Sequence, residues 1–150
     1  MGELLLLVII DGERVAILAS QVQSVIDLGK ITPVPRCAAH VAGLAALRSQ
    51  PLTVIDCAIS LQLREERSEG RRAVVVKEKG HHYALLVDAV EDVTEGLSEA
   101  AEITTALKKG WRHAAKGMIE TAEGPVLLAD IPAIIEGPNG KPKPVDKVAA

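Results

Sequence analysis

Residues 4–10 read Leu-Leu-Leu-Leu-Val-Ile-Ile, an unbroken apolar run that Asp11-Gly12 stops. Seven residues fall far below the roughly 18 to 20 a membrane-crossing helix needs, so the run reads as a strand buried on both faces. Asp-Gly is a strong hairpin signal, because both central residues of a type I′ turn need positive φ. It predicts a partner strand over 14–18. Ser20 could then cap a helical turn ahead of Val22-Gln-Ser-Val-Ile26, where alternation sets Val22 and Ile26 on one face. Strand and short helix both fit that segment.

Further along, Ile31-Thr-Pro-Val-Pro35 leads an apolar stretch into a proline-stiffened loop. Residues 41–47 and 51–56 are two more apolar runs either side of Arg48-Ser49. Residues 57–61 are too few for a helix stable by itself. Residues 64–72 are mostly charged and read as a solvated loop. Strands are predicted over 73–76 and 83–87, joined by a polar turn over 77–80. Residues 94–109 are polar and partly amphipathic, which suggests a long connection with some helix. Met118-Ile119 and residues 125–129 flank a hairpin signal at 120–124, and 131–135 predict a brief helical turn. The stretch 137–150 holds three prolines and few apolar residues, so it is expected to be a flexible tail behind one domain over 1–136.

Composition sharpens this. The chain has 150 residues, 48% of them hydrophobic, yet one Trp, one Tyr and no Phe. Its core must therefore be built from Val, Ile, Leu and Ala, which favours strands. Many short strands punctuated by turns, with little helix, imply a mainly β fold of small barrels or a sandwich. A net charge of -3 leaves no cationic field to attract phosphate backbones, so nucleic acid is not an expected partner. Cys37 and Cys57 sit in apolar surroundings without a scaffold spacing and are expected in or near the core as reduced thiols, and nothing resembles a secretory signal, so a reducing compartment is expected.

Candidate chemistry is sparse. Cys37 and His40, with Cys57 and the His81-His82 pair, could supply a metal site, which would make the chain a metal-binding regulator or small β-barrel enzyme. No second close ligand pair accompanies Cys37-x-x-His40, and adjacent strand histidines point to opposite faces. No nucleophile elbow and no phosphate-cradling glycine motif is present. Asp56 and Asp130 each end an apolar strand and are expected to hydrogen-bond local backbone, and Asp88 to cap an adjacent turn.

Three motifs in order resemble the CheW family of chemotaxis coupling proteins. The first is the proline loop, Gly43, the Leu47-Arg48 turn and the strand ending in Asp56. The second is Tyr83-Ala-Leu-Leu-Val-Asp-Ala-Val-Glu-Asp-Val93. The third joins Lys116-Gly117 to Gly124 and Val126-Leu-Leu-Ala-Asp130. The resemblance implies two small five-stranded β-barrels packed on a shared apolar core. It also implies an adaptor without enzymatic activity or cofactor, cytoplasmic and recruited to membrane-associated chemoreceptor arrays without inserting in the membrane. One surface would bind the cytoplasmic tip of a chemoreceptor, another the regulatory domain of a CheA-type histidine kinase.

Carried over residue by residue, the resemblance makes Arg48 the receptor-binding arginine of the family's leucine-arginine-glycine turn. Val22, Gly43, Leu47, Val87 and Val90 accompany it as receptor-site residues. Apart from the resemblance, Arg48 reads as a solvated turn residue and the valines as core. Ser49 stands where the family has glycine, Ala46 where it has a polar residue, and Pro51 with Thr53 where it often has its proline two positions later. A non-glycine held at positive φ costs about 1 kcal/mol, so the shape of this loop bears on partner choice.

Overall fold

The computed structural model describes residues 3–66, 70–103 and 111–137. The first apolar run forms β1 (Leu4–Ile10) and returns as β2 (Glu13–Leu18). Asp11 and Gly12 lie at φ 50° and 82°, left-handed at both positions as the hairpin signal requires. A single 3-10 turn, Ala19–Gln21, leads into β3 (Val22–Asp27), so the ambiguous segment is a strand. Leu18, and not Ser20, holds that turn's cap position, and no side-chain cap bond forms.

The other elements are β4 (Val41–Leu47), β5 (Gln50–Asp56), α1 (Cys57–Ser60), β6 (Arg72–Glu78), β7 (His81–Leu86) and β8 (Ala89–Glu95). After these come α2 (Trp111–Ala114), β9 (Ala115–Thr121), β10 (Gly124–Ala129) and α3 (Ile131–Glu136). The β6–β7 turn is tighter than the expected 77–80, because Glu78 pairs with His81 and only Lys79-Gly80 remain. Strand β7 stops at Leu86, one residue short of Val87. The polar segment from Thr94 is still strand as far as Glu95, held by pairing with β1. Residues 96–103 form no helix, and 104–110 lie outside the described residues, as does the expected tail beyond Gly137.

Two five-stranded sheets result, ordered β8-β1-β2-β10-β9 and β3-β6-β7-β5-β4. They are two versions of one pattern. In each, an edge strand pairs antiparallel with a hairpin (β1–β2 or β6–β7), whose second strand runs parallel to the last strand of another hairpin. Both hairpin units that end this pattern continue into a short helix capped by an aspartate. Asp56 accepts from the Ile59 N–H and Asp130 from the Ala133 N–H, each at 3.2 Å. The second copy is circularly permuted: its β1–β2 hairpin is supplied by the N-terminus, while its other strands come from the C-terminal half.

Each sheet is drawn toward closure in the same way. The stretch after β3 bridges to β4 through paired Thr32–Leu44 hydrogen bonds of 2.8 and 2.9 Å, and the stretch after β8 bridges to β9 through Ala101–Met118 bonds of 2.7 and 2.9 Å. Each bridge lies against a glycine. A Cβ on Gly43 would overlap the Thr32 carbonyl oxygen, and one on Gly117 would sit 2.6 Å from that of Ala101.

The alternation along the strands sorts side chains into three cores. Leu6, Val8 and Ile10 join Val74, Val76, Tyr83 and Leu85 in a cluster between the two sheets, completed by Trp111 and the apolar faces of α1 and α3. Leu5 and Leu7 point the other way, into the barrel formed by the first sheet, while Ala73 and Val75 point into the second. Strand β1 is buried on both faces, as its unbroken apolar run implied. At about 1.5 to 3 kcal/mol per fully buried large aliphatic side chain, the two inner clusters stabilise each barrel and the inter-sheet cluster sets the barrels against each other.

Candidate partner-binding surface

Arg48 lies at the tip of the β4–β5 hairpin, where Leu47 pairs with Gln50 and only Arg48-Ser49 turn the chain. Both are left-handed, at φ 52° and 69°. The type I′ geometry fixes where the chain points but asks two side-chain-bearing residues to adopt it. Arg48 is exposed, so its guanidinium projects from a stiff support. Because β5 and β7 run parallel, the Lys79-Gly80 turn sits at the same end of this sheet, and β3 also begins there with Val22 opposite Val76.

Leu47 is half-buried against the interior of the same barrel, and Gly43 is buried beneath the Thr32 bridge. At φ 145°, with a backbone carbonyl where a Cβ would go, Gly43 shapes the approach to the turn. Val87 is 5% exposed and belongs to the core between the sheets. It lies at the opposite end from Arg48, its N–H bonded to the Arg72 carbonyl at 3.0 Å. Val22, Leu47 and Arg48 thus share one end, while Val87 and Val90 sit at the crossover between barrels.

That crossover is well held. Asp88 donates its N–H to the Ile9 carbonyl, and its carboxylate accepts from the Asp11 N–H at 2.7 Å and from Arg64 at 2.6 Å. Asp88 therefore caps the β1–β2 turn. Arg64 also reaches Asp11 at 3.1 Å, so one guanidinium ties the loop after α1 to the other barrel. A cleft of about 310 Å³ opens beside it, with Asp27, Arg71 and Arg72 on one side and Ala89 and Val90 on the other. Asp27 and Arg72 pair at 2.7 Å. Beyond the cleft, Arg14 donates to Glu91 at 2.6 Å, and this hydrogen bond holds the Glu91 carboxyl below the usual range.

The edge strands β3 and β8 occupy equivalent places in the two sheets. Val22 pairs with Val76 as Val90 pairs with Val8, and Val25 with Val74 as Val93 with Leu6. Val22 and Val90 pack against the same inter-sheet core. Val25 and Val93, 37% and 53% exposed, carry that apolar face out to solvent. Their part was not singled out from the sequence, although Val22-Gln-Ser-Val25 and Val90-Glu-Asp-Val93 repeat one spacing.

The histidine and cysteine candidates are placed differently. His40 is buried with its Nε2 2.8 Å from the Ile135 carbonyl oxygen, and its ring is packed where a Cβ on Gly137 would fall. Burial pushes its pKa down, partly opposed by that carbonyl. The ring joins β4 to the end of α3 and has no Cys37–His81 cluster around it: among the described residues, no group of three or more His, Cys, Asp or Glu side chains is arranged to hold a metal. Cys57 is buried, and desolvation pushes its thiol far up, whereas Cys37 is half-exposed, not in the core. Among the described residues no helix is long and apolar enough to cross a membrane.

Known proteins share this architecture. The chain is 27% identical over 127 residues to the chemotaxis protein CheW of Thermotoga maritima, covering 85% of this chain and 83% of that one. It superposes on the crystal structure of the scaffolding protein TtCheW from Thermoanaerobacter tengcongensis with a TM-score of 0.79, over 95% of this chain and 92% of that one. At 21% identity that likeness is one of fold. The model of the CheW-like domain matches residues 4–138, and with nearly the whole chain inside it, the chain belongs to the CheW-like domain family.

Proposed function

We propose that this protein is a non-enzymatic scaffold of a bacterial chemosensory pathway, which binds the cytoplasmic tip of a chemoreceptor and the regulatory domain of a CheA-type histidine kinase. The observation that carries it is the match to the CheW-like domain across 4–138. The geometry is of the right kind: one body, cross-tied by Arg64, offers an arginine on a stiff turn and valine-lined sheet edges elsewhere. A scaffold of this sort works by position, so rigidity between its surfaces is its mechanism. In this reading the protein is cytoplasmic and recruited to receptor arrays.

Arg48, Val22 and Val90 are the receptor contacts in this reading, with Gly43 and Leu47 supporting the Arg48 turn and Val87 the crossover beside Val90. Arginine on an exposed turn can act as a hot spot through bidentate hydrogen bonds and stem packing, typically carrying about 2 kcal/mol or more. Arg48→Glu should therefore leave melting unchanged while weakening receptor-tip binding at least tenfold. Titration of both proteins against a receptor-tip fragment and, separately, the kinase regulatory domain decides it. Unchanged receptor affinity removes Arg48 from the site, and equal losses for both partners would mean a shared site or a damaged fold.

A further inference from the structure

The two barrels differ at one mouth. In the second sheet, the residue after β3 is Leu28, whose N–H bonds to the Arg71 carbonyl at 2.8 Å and whose side chain, 5% exposed, packs into the barrel. The equivalent residue after β8 is Gly96, whose N–H bonds to the Glu3 carbonyl at 2.8 Å. One barrel is closed by its own leucine, and the other has no side chain there. Leu5 and Ile119 replace the smaller Ala73 and Ala45 of the other barrel and fill the space directly under Gly96. Above them a cavity of about 820 Å³ stays open, floored by Leu18, Ile119 and Leu128. Leu18 is half-buried where its counterpart Leu86 is 4% exposed, and Leu97, next to Gly96, is turned out to solvent at 66% exposure.

Among the described residues, the charged groups lining this mouth are of one sign. Glu3, Glu95 and Glu99 border it, and no lysine or arginine does among the described residues. We infer that the mouth of this barrel is a docking cup for a partner segment that carries a leucine-sized apolar side chain flanked by lysine or arginine. Leu28 shows the size of side chain the fold accepts at this place, and the three carboxylates set the charge of what surrounds it. The assignment does not depend on which proteins the scaffold couples, since it rests on the difference between the two barrels.

The test is a titration of the full-length isotope-labelled protein, followed by amide chemical shifts, with three probe peptides: acetyl-Lys-Lys-Leu-Lys-Lys-amide, its Ser-centred analogue and acetyl-Glu-Glu-Leu-Glu-Glu-amide. Saturable shifts at Gly96, Leu97, Ser98 and Ala100 are expected with the first peptide alone, and Glu99→Lys, a change at an exposed residue, should weaken them at least tenfold with melting unchanged. Absence of saturable shifts there overturns the proposal. Equal binding of the Ser-centred peptide would reduce the site to charge alone and also overturn it. A chain ending at Gly137 that binds at least tenfold more tightly than the full chain would name the protein's own lysine-bearing C-terminal segment as the occupant, against a partner.

Discussion

Ser49 and Arg48 show how a single residue can be legible in kind and not in consequence. The motif placed an arginine turn here, and the departure from glycine raised a question of backbone conformation, which the φ of 69° at Ser49 answers. Among the described residues, three two-residue turns are left-handed at both positions, and Asp11-Gly12 and Lys79-Gly80 each put glycine second. Ser49 alone among them carries a Cβ there. Ser49→Gly should relieve about 1 kcal/mol of strain, partly offset by the greater freedom of glycine in the unfolded chain. The expected rise in melting temperature is about 2–4 °C or less for a domain of this size, read by calorimetry. A fall would show that the serine side chain holds the turn in some other way. His40 was less legible: nothing near it in sequence reveals Ile135 and Gly137, which the fold brings against its ring.

At the level of strands and bridges, the hydrophobic pattern carried most of the information. Unbroken or alternating apolar runs located β1, β5, β6, β7 and β10, because one or both of their faces are buried. Strand β8 was not predicted as a separate strand, because Glu91, Asp92, Thr94 and Glu95 make its outer half polar. Its place is enforced by pairing with β1, a long-range contact that local propensity does not contain. The two closure bridges were likewise invisible, though their glycines were not. Gly43→Ala and Gly117→Ala should each cost about 2 kcal/mol or more, since the new methyl meets backbone that cannot move without breaking the Thr32–Leu44 or Ala101–Met118 hydrogen bonds. Gly43 should be the more sensitive, because its φ of 145° adds conformational strain. Chemical denaturation of both variants checks this, and a neutral result at either glycine would mean that its bridge bends freely.

For the molecule as a whole, the repeated pattern predicts something no single motif does. Gly43, Pro51 and Asp56 recur as Gly117, Pro125 and Asp130 at one constant separation, a repeat present in the sequence but blurred because the second copy borrows its β1–β2 hairpin from the N-terminus. Joining Ala150 to Met1 and opening the chain between Leu18 and Ala19 would restore tandem order, with each barrel encoded by a continuous segment. The join is feasible on internal grounds. In the second barrel the chain passes from α1 to β6 through residues 61–71, and the equivalent path from α3 to β1 would have all of 137–150 and 1–3 to cross it. The new ends fall beside a single 3-10 turn that contributes no residue to the cores. Opening there severs the short link between β2 and β3 while leaving both sheets' hydrogen-bond ladders unchanged, so the permuted protein should keep the same circular dichroism and a cooperative thermal transition, with a midpoint within several degrees of the parent. Loss of cooperativity, or failure to fold, would show that the covalent β2–β3 link is needed to hold the barrels in register, and that the shared core with its Arg64 tie is not sufficient alone.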